Sequence, residues 1–333
     1  MGRAGLYSQI IFLVIVLWIV TGFYGTEAFY TFSIIFSSIV LEALPFMLLG
    51  TLMGGFVEVF LSREKLISLL PASPKKAIIF SAFLGILLPV CECAIVPVVR
   101  KFLQKGMPLG AAVAFLLGGP IVNPLVFSST FVAYSFSWEI AGLRTLSGVG
   151  IAICIGMLID SCITKDQALV PKPSSGPSCG CHSPDCGHNH SDLSSAGFRQ
   201  KLGAAFSHGA LDFYDIARFL IIGAFIAAAL QTIVPRQAIL SVLTGEITAI
   251  PLMMGLAIVL NLCSEADAFI AASFAPLGIG LAAQMAFMVL GPMLDIKLVI
   301  MYTSVFTRKM IMLLVSFILI FVFTAMVFME VVT

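Results

Sequence analysis

Charge is scarce in this chain: 11% of its 333 residues are Asp, Glu, Lys or Arg, against roughly a quarter in soluble globular domains. The basic residues are spread over short loops rather than gathered into a patch, which argues against nucleic acid as a partner. No phosphate-cradling G-x-x-x-x-G-K-S/T loop is present, so ATP is not the expected energy source. The 4 histidines lie outside the apolar segments that hold Cys91, Cys93 and Cys263 or at a helix start. Without a histidine beside those thiols, nucleophilic catalysis by an intramembrane enzyme is the least favoured reading. The residues after the first apolar run, TGFYGTEAF, lack an A-x-A-like site, so that run reads as a retained helix rather than a cleaved leader. The 8 cysteines do not suggest a disulfide framework, which belongs to short secreted sequences.

What is abundant is apolar sequence, 60% of the chain. Apolar segments fall at roughly 9–25, 29–61, 76–103, 107–134, 138–163, 208–234, 237–277, 279–306 and 310–331. An all-α polytopic membrane protein is the class this predicts. If segment 76–103 crossed once, the basic loops on either side of it (Arg63, Lys65, Lys75 and Lys76; Arg100, Lys101 and Lys105) would lie on opposite faces. Basic loops prefer the cytoplasm. The segment is therefore expected to enter and return, with Ala77–Pro89 as its first arm and the Cys-Glu-Cys triplet as its tip; a third helix that simply spans is the alternative. Glu27, Glu139, Arg144, Arg236, Glu246 and Glu330 then fall outside.

An internal repeat supports that topology. Glu42 and Gly50 align with Asp215 and Gly223, Cys91 with Cys263, Gly119-Pro120 with Gly291-Pro292, and Asn123 with Asp295, at nearly constant offset. Each unit would hold one helix, one re-entrant hairpin and two further helices, the second hairpin carrying NLCSEAD at its tip. Three crossings per unit invert the second unit relative to the first, a transporter signature. The expected divisions are an N-terminal helix at 1–28, a first repeat at 29–164, a linker at 165–205 and a second repeat at 206–333.

Ionisable groups within apolar segments are costly and mark function or pairing. Here they are Glu42, Glu92, Asp215, Glu265, Asp267 and Asp295, with Arg218 and Lys297. Pairing of Asp215 with Arg218, and of Asp295 or Asp267 with Lys297, would hold the repeats together; with Glu42 these are the structural or coupling charges. Glu92 and Glu265 sit beside cysteines at helix breaks, where a carboxylate can exchange protons. Cys91, Cys93 and, from the other tip, Cys263 would supply three soft ligands for a thiophilic metal or metalloid; alternatively they only pack. Gly118, Gly119, Pro120 and Pro124 should interrupt helix 107–134, leaving Asn123 and its counterpart Asp295 to orient a ligand, with Pro120 and Asp267 nearby.

The linker carries Cys179, Cys181, His182, Cys186, His188 and His190, soft or borderline ligands for zinc or copper(I) whose spacing matches no structural zinc fold. A cytoplasmic loop that captures metal loosely is the expectation, and no other cofactor is implied.

The blocks LEALPFMLLG (41–50), PVCECAIVPVVRKF (89–102), FLLGGPIVNPLVF (115–127), NLCSEADAF (261–269) and LGPMLDIKL (290–298) resemble the YraQ-like permeases, the family that includes the ArsP organoarsenical efflux permeases. The resemblance implies a permease of the bacterial inner membrane, with Cys91 and Cys93 as the positions that match cysteines thought to bind trivalent arsenic. It also implies a second membrane subunit for some members; a homodimer is the other arrangement. The expectation is export of a small thiophilic species, with proton-linked or partner-linked coupling. A permease for an unrelated small anion or metabolite, or a membrane subunit of a two-component complex, are the alternatives.

Overall fold

The structure, a computed structural model, describes residues 26–60, 70–71, 73–88, 91–163, 165–170, 198–233 and 246–332. The expected first helix and the linker ligands Cys179, Cys181, His182, Cys186, His188 and His190 lie outside the described residues.

The described chain is helical throughout, apart from a single bridge between Leu169 and Phe306. Its helices are α1 (Glu27–Phe60), α2 (Pro74–Ala82), α3 (Glu92–Gln104), α4 (Leu109–Val122), α5 (Pro124–Ala133), α6 (Trp138–Cys162), α7 (Lys165–Ala168), α8 (Phe198–Ile233), α9 (Glu246–Leu260), α10 (Ala266–Ser273), α11 (Leu281–Leu290), α12 (Ile296–Tyr302) and α13 (Arg308–Val332). One order of elements occurs twice. A long helix, two short helices meeting at a tip, a helix in two pieces and a second long helix make up α1–α6, and the same sequence makes up α8–α13. Among the described residues, Glu27–Phe56, Trp138–Cys162 and Arg308–Val332 are long and apolar enough to cross a membrane, and α4 with α5 makes a fourth such span if the bent pair is one. Their outer faces carry exposed apolar side chains such as Leu41, Leu146 and Met312, which suit lipid rather than water.

At the centre is α4. Its sequence, LGAAVAFLLGGPIV, has no polar side chain, and all of it is buried, as expected of a helix that is apolar all round. It packs on α2, α3 and α6. The expected interruption of segment 107–134 is present; of Gly118, Gly119, Pro120 and Pro124, the helix runs through the first three and breaks at Asn123, before Pro124. Pro124 explains the position: its ring disfavours helical geometry in the residue before it, and Asn123 adopts φ −56°, ψ 126°. The chain bends by 41° there. The two glycines serve close approach instead, since a Cβ on Gly85 would sit 2.2 Å from the Gly119 carbonyl oxygen.

Equivalent helices of the two halves pack on each other, α1 on α8 and α6 on α13. The first crossing is tight because it is built on glycine. A Cβ at Gly55 would meet the Ala205 carbonyl oxygen at 2.3 Å, and one at Gly209 would meet that of Thr51 at 3.1 Å, the small-residue contact typical of helices in lipid. The second arm of each short pair crosses over to the other half: α3 touches α12, and α10 touches α5. This exchange brings the two tips together.

Candidate functional site

Each tip is a helix start led by a cysteine. The Cys91 carbonyl accepts from the N–H groups of Ala94 and Ile95, both at 3.1 Å, and the Cys263 carbonyl from those of Ala266 and Asp267, both at 3.0 Å. These are the same bonds at the same repeat positions. The second tip is entered through Asn261 at φ +49°, a left-handed conformation that asparagine tolerates better than most residues.

The tips meet directly. Ser264 Oγ donates to Glu92 Oε2 at 3.0 Å. The other carboxylate oxygen of Glu92 lies 3.5 Å from Lys297 Nζ, which is also 3.5 Å from Asp295 Oδ2. Asp295 caps α12 by accepting from Leu298 N at 2.6 Å. With the Asn261 amide assigned so that its nitrogen faces Asp295, that nitrogen donates to both carboxylate oxygens at 3.0 and 2.8 Å. Glu92, Asp295 and Lys297 are all buried.

A cavity of ≈ 10 Å³ opens at this junction, lined by Ile39, Glu42, Ala43, Cys91, Glu92, Cys93, Asn261, Cys263 and Lys297. That is room for about one water molecule. Three thiols from both tips thus share it with two acids and one base. They are free cysteines, and all three are buried. Among the described residues, no three His, Cys, Asp or Glu side chains are placed to hold a metal ion, so the sulfurs line the space without converging.

The other expected site residues are placed elsewhere. Asp295 stands behind the cavity as the partner of Lys297. Glu265 accepts a hydrogen bond from Cys263 Sγ and is not part of the lining. Pro120 is buried within α4, and Asn123 spends its side-chain oxygen on Leu125 N at 3.0 Å, capping α5 as Asp295 caps α12. The expected choice of Asp295 or Asp267 for Lys297 resolves to Asp295; Asp267 is bound by Arg144 instead. The Arg218 guanidinium lies 4.9 Å over the Phe219 ring, while the Asp215 side chain is outside the described residues.

Arg144, which charge alone set among the loop residues outside, is enclosed by protein. It is 1% exposed and donates to Thr130 Oγ1 (2.6 Å), to Asp267 Oδ1 and Oδ2 (2.8 and 3.0 Å), and to the carbonyls of Ser264 and Met288 (both 3.1 Å). A buried guanidinium needs this many acceptors to offset its lost hydration. It ties α6 to the second tip. No local signal marks Arg144, because every partner is distant in sequence except Thr130, which looks like an ordinary helix residue. Ser264 and Asn261 did carry a signal, since both stand in the NLCSEAD block.

Residues 28–331 match the family model ArsP_1, described as predicted permease. The chain belongs to that permease family. Relatives of this permease include the UPF0718 protein YcgR of Bacillus subtilis, 36% identical over 296 residues, covering 89% of this chain and 96% of the relative. A protein of Streptococcus mutans named as a putative two-component membrane permease complex subunit is 40% identical over 278 residues, 84% of this chain and 88% of that one. The UPF0718 protein YraQ of Escherichia coli is 23% identical over 117 residues, 35% and 33% of the two chains. No solved structure matches the permease. The family blocks noted in the sequence fall on its central parts: the described CEC of PVCEC on the first tip, PIVNP on the α4–α5 break, NLCSEAD on the second tip and LGPMLDIKL on the α11–α12 break.

Proposed function

We propose that this permease is a multi-pass protein of the bacterial inner membrane, built from two inverted repeats, that exports a small thiophilic species through the cavity between its two tips. The observation that carries the reading is the lining: Cys91 and Cys93 from one tip and Cys263 from the other face one buried space. A trivalent organoarsenical or a soft metal ion is the cargo chemistry that such thiols favour.

The re-entrant form of each short pair is supported by length. The 9 residues of α2 and the 13 of α3 span about 14 and 20 Å at 1.5 Å per residue, short of the roughly 30 Å hydrocarbon core. Inversion of the repeats is supported by the self-pairing of equivalent elements, α1 with α8 and α6 with α13. Glu92 is the coupling group of choice, because it lines the cavity and pairs across the two units. An anionic cargo fits less well, since Glu42 and Glu92 outnumber Lys297 in the lining.

The test is resistance to trivalent organoarsenicals and soft metals in cells that depend on this chain. Cys91→Ser with Cys93→Ser should abolish resistance at normal protein levels; unchanged resistance removes the thiophilic reading. The name of the Streptococcus mutans relative favours a second reading, in which the chain works only as one subunit of a two-component complex. Flux through liposomes holding the purified chain alone separates the two.

A further inference from the structure

The ammonium of Lys297 occupies a place that a cargo would need. It sits between Glu92 Oε1 and Asp295 Oδ2 at 3.5 Å from each, and lines the same cavity as Cys93. Charge-assisted N–H···O bonds are ordinarily about 2.7–2.9 Å, so the ammonium is shared between the two acids rather than committed to one. The acids themselves differ. Asp295 is held by Leu298 N and Asn261 and does not line the cavity. Glu92 does line it, and is held otherwise by one serine hydroxyl. Lys297 and Asp295 belong to the second half and Glu92 to the first, so the Lys297–Glu92 contact is the half of this bridge that joins the two units.

Resting on the thiophilic-cargo reading, we infer that Lys297 is a tethered stand-in for the cargo, which is a soft cation that displaces the ammonium from Glu92 and leaves it on Asp295. Two acids around one base leave the cluster short of positive charge, and the thiols of Cys91, Cys93 and Cys263 stand on the same wall. The sulfurs do not converge in this arrangement, so a divalent cation would have to draw two of them up to the Glu92 carboxylate, sending two thiol protons to water; Lys297 keeps its own proton and charge. Cargo entry therefore breaks an ion pair between the units, and cargo exit restores it. This couples occupancy to the relative position of the two halves without any group having to sense the cargo at a distance.

The probe is Cd²⁺, followed by its thiolate charge-transfer absorbance on the purified full chain in detergent. The background carries serine or alanine at Cys179, Cys181, His182, Cys186, His188 and His190, so that the linker contributes no ligands. Lys297→Met alone strands two buried acids, so the informative variant is Lys297→Met with Asp295→Asn, which removes one charge of each sign. Net charge alone predicts that this double variant binds as the parent does; a displaced stand-in predicts binding about tenfold or more tighter, because the competitor is gone. Asp295→Asn alone commits Lys297 to Glu92 and should weaken Cd²⁺ binding by about tenfold. Equal or weaker binding by the double variant overturns the inference, as does unchanged binding by Asp295→Asn should the double variant not fold. Cd²⁺ binding by the parent that survives Cys91→Ser with Cys93→Ser, or no binding at all, removes the thiophilic reading itself.

Discussion

Glu92 and Ser264 hydrogen-bond to each other at 3.0 Å across a sequence separation of 172, the same offset that aligns Cys91 with Cys263. A residue that touches its own repeat counterpart must lie near the axis relating the two units, as in any isologous contact. Under the proposed repeat, the axis would pass through the tips, with the cavity beside it. A buried hydrogen bond to a charged group contributes about 1.5–3 kcal/mol. Ser264→Ala should lower stability by about that amount, and Ser264→Thr, which keeps the hydroxyl, by less. Thermal unfolding in detergent measures both, and equal melting of Ser264→Ala and the parent would show that this bond does not hold the tips.

Arg144 and Asp267 give a second contact between the halves, and theirs has no repeat counterpart: the position 172 residues before Asp267 is Ile95. Breaking a buried ion pair by removing one partner costs about 3–5 kcal/mol, whereas replacing both is far cheaper. Arg144→Met should thus be the more damaging change, and Arg144→Met with Asp267→Leu should recover much of the loss. A double-mutant cycle on thermal unfolding would give the coupling energy; additive effects would mean that the guanidinium is held by Thr130 and the carbonyls alone.

The contrast between these two contacts explains what could be read in advance. Both tips, their cysteines, Glu92 and the paired positions Asn123 and Asp295 stood out because the repeat marks them twice, and a soft ligand or helix breaker within lipid-length sequence needs a reason; that Asn123 and Asp295, expected to orient a ligand, cap α5 and α12 was not legible. Arg144 stands outside the repeat. A lone arginine near the start of an apolar segment resembles a residue at the membrane edge, and only the folded chain supplies the acceptors that let it sit inside. Of the four breakers expected in segment 107–134, only Pro124 acts as one, for a related reason. Gly118, Gly119 and Pro120 are breakers by propensity, but packing against Ala82, Gly85 and Ile95 uses the glycines as contact surface, while the Pro124 ring acts on its neighbour whatever the packing.

Close helix crossing at Gly55 predicts a size threshold. A Cβ there would lie 2.3 Å from a backbone oxygen, whereas one at Gly142 would meet nothing within 4 Å. Overpacking costs about 1–3 kcal/mol, and glycine within a helix gives up roughly 0.5–1 kcal/mol relative to alanine. Gly55→Ala should therefore destabilise the protein and Gly142→Ala should stabilise it slightly. Thermal unfolding of the two variants side by side tests this, and a Gly55→Ala protein as stable as the parent would place α1 and α8 farther apart.

Inverted repeats make a further demand that does not depend on cargo. In the first half, α2 begins beside Lys75 and α3 ends at Gln104, so Lys75 and Lys105 flank the two ends of one hairpin; in the second half, Thr248 near the start of α9 and Leu277 after α10 do the same. Were both pairs of helices re-entrant and opposed, Lys75→Cys and Lys105→Cys would react with an impermeant maleimide from the cytoplasmic side, which positive residues favour. Thr248→Cys and Leu277→Cys would react from the other side. Inside-out and right-side-out vesicles, in a background without other reactive cysteines, distinguish the faces. Labelling of Lys75→Cys and Lys105→Cys from opposite sides would mean that segment 76–103 crosses the bilayer once. The two tips could then not both be reached by cargo from alternate sides, and the cavity between them would be a packing junction rather than a transport site.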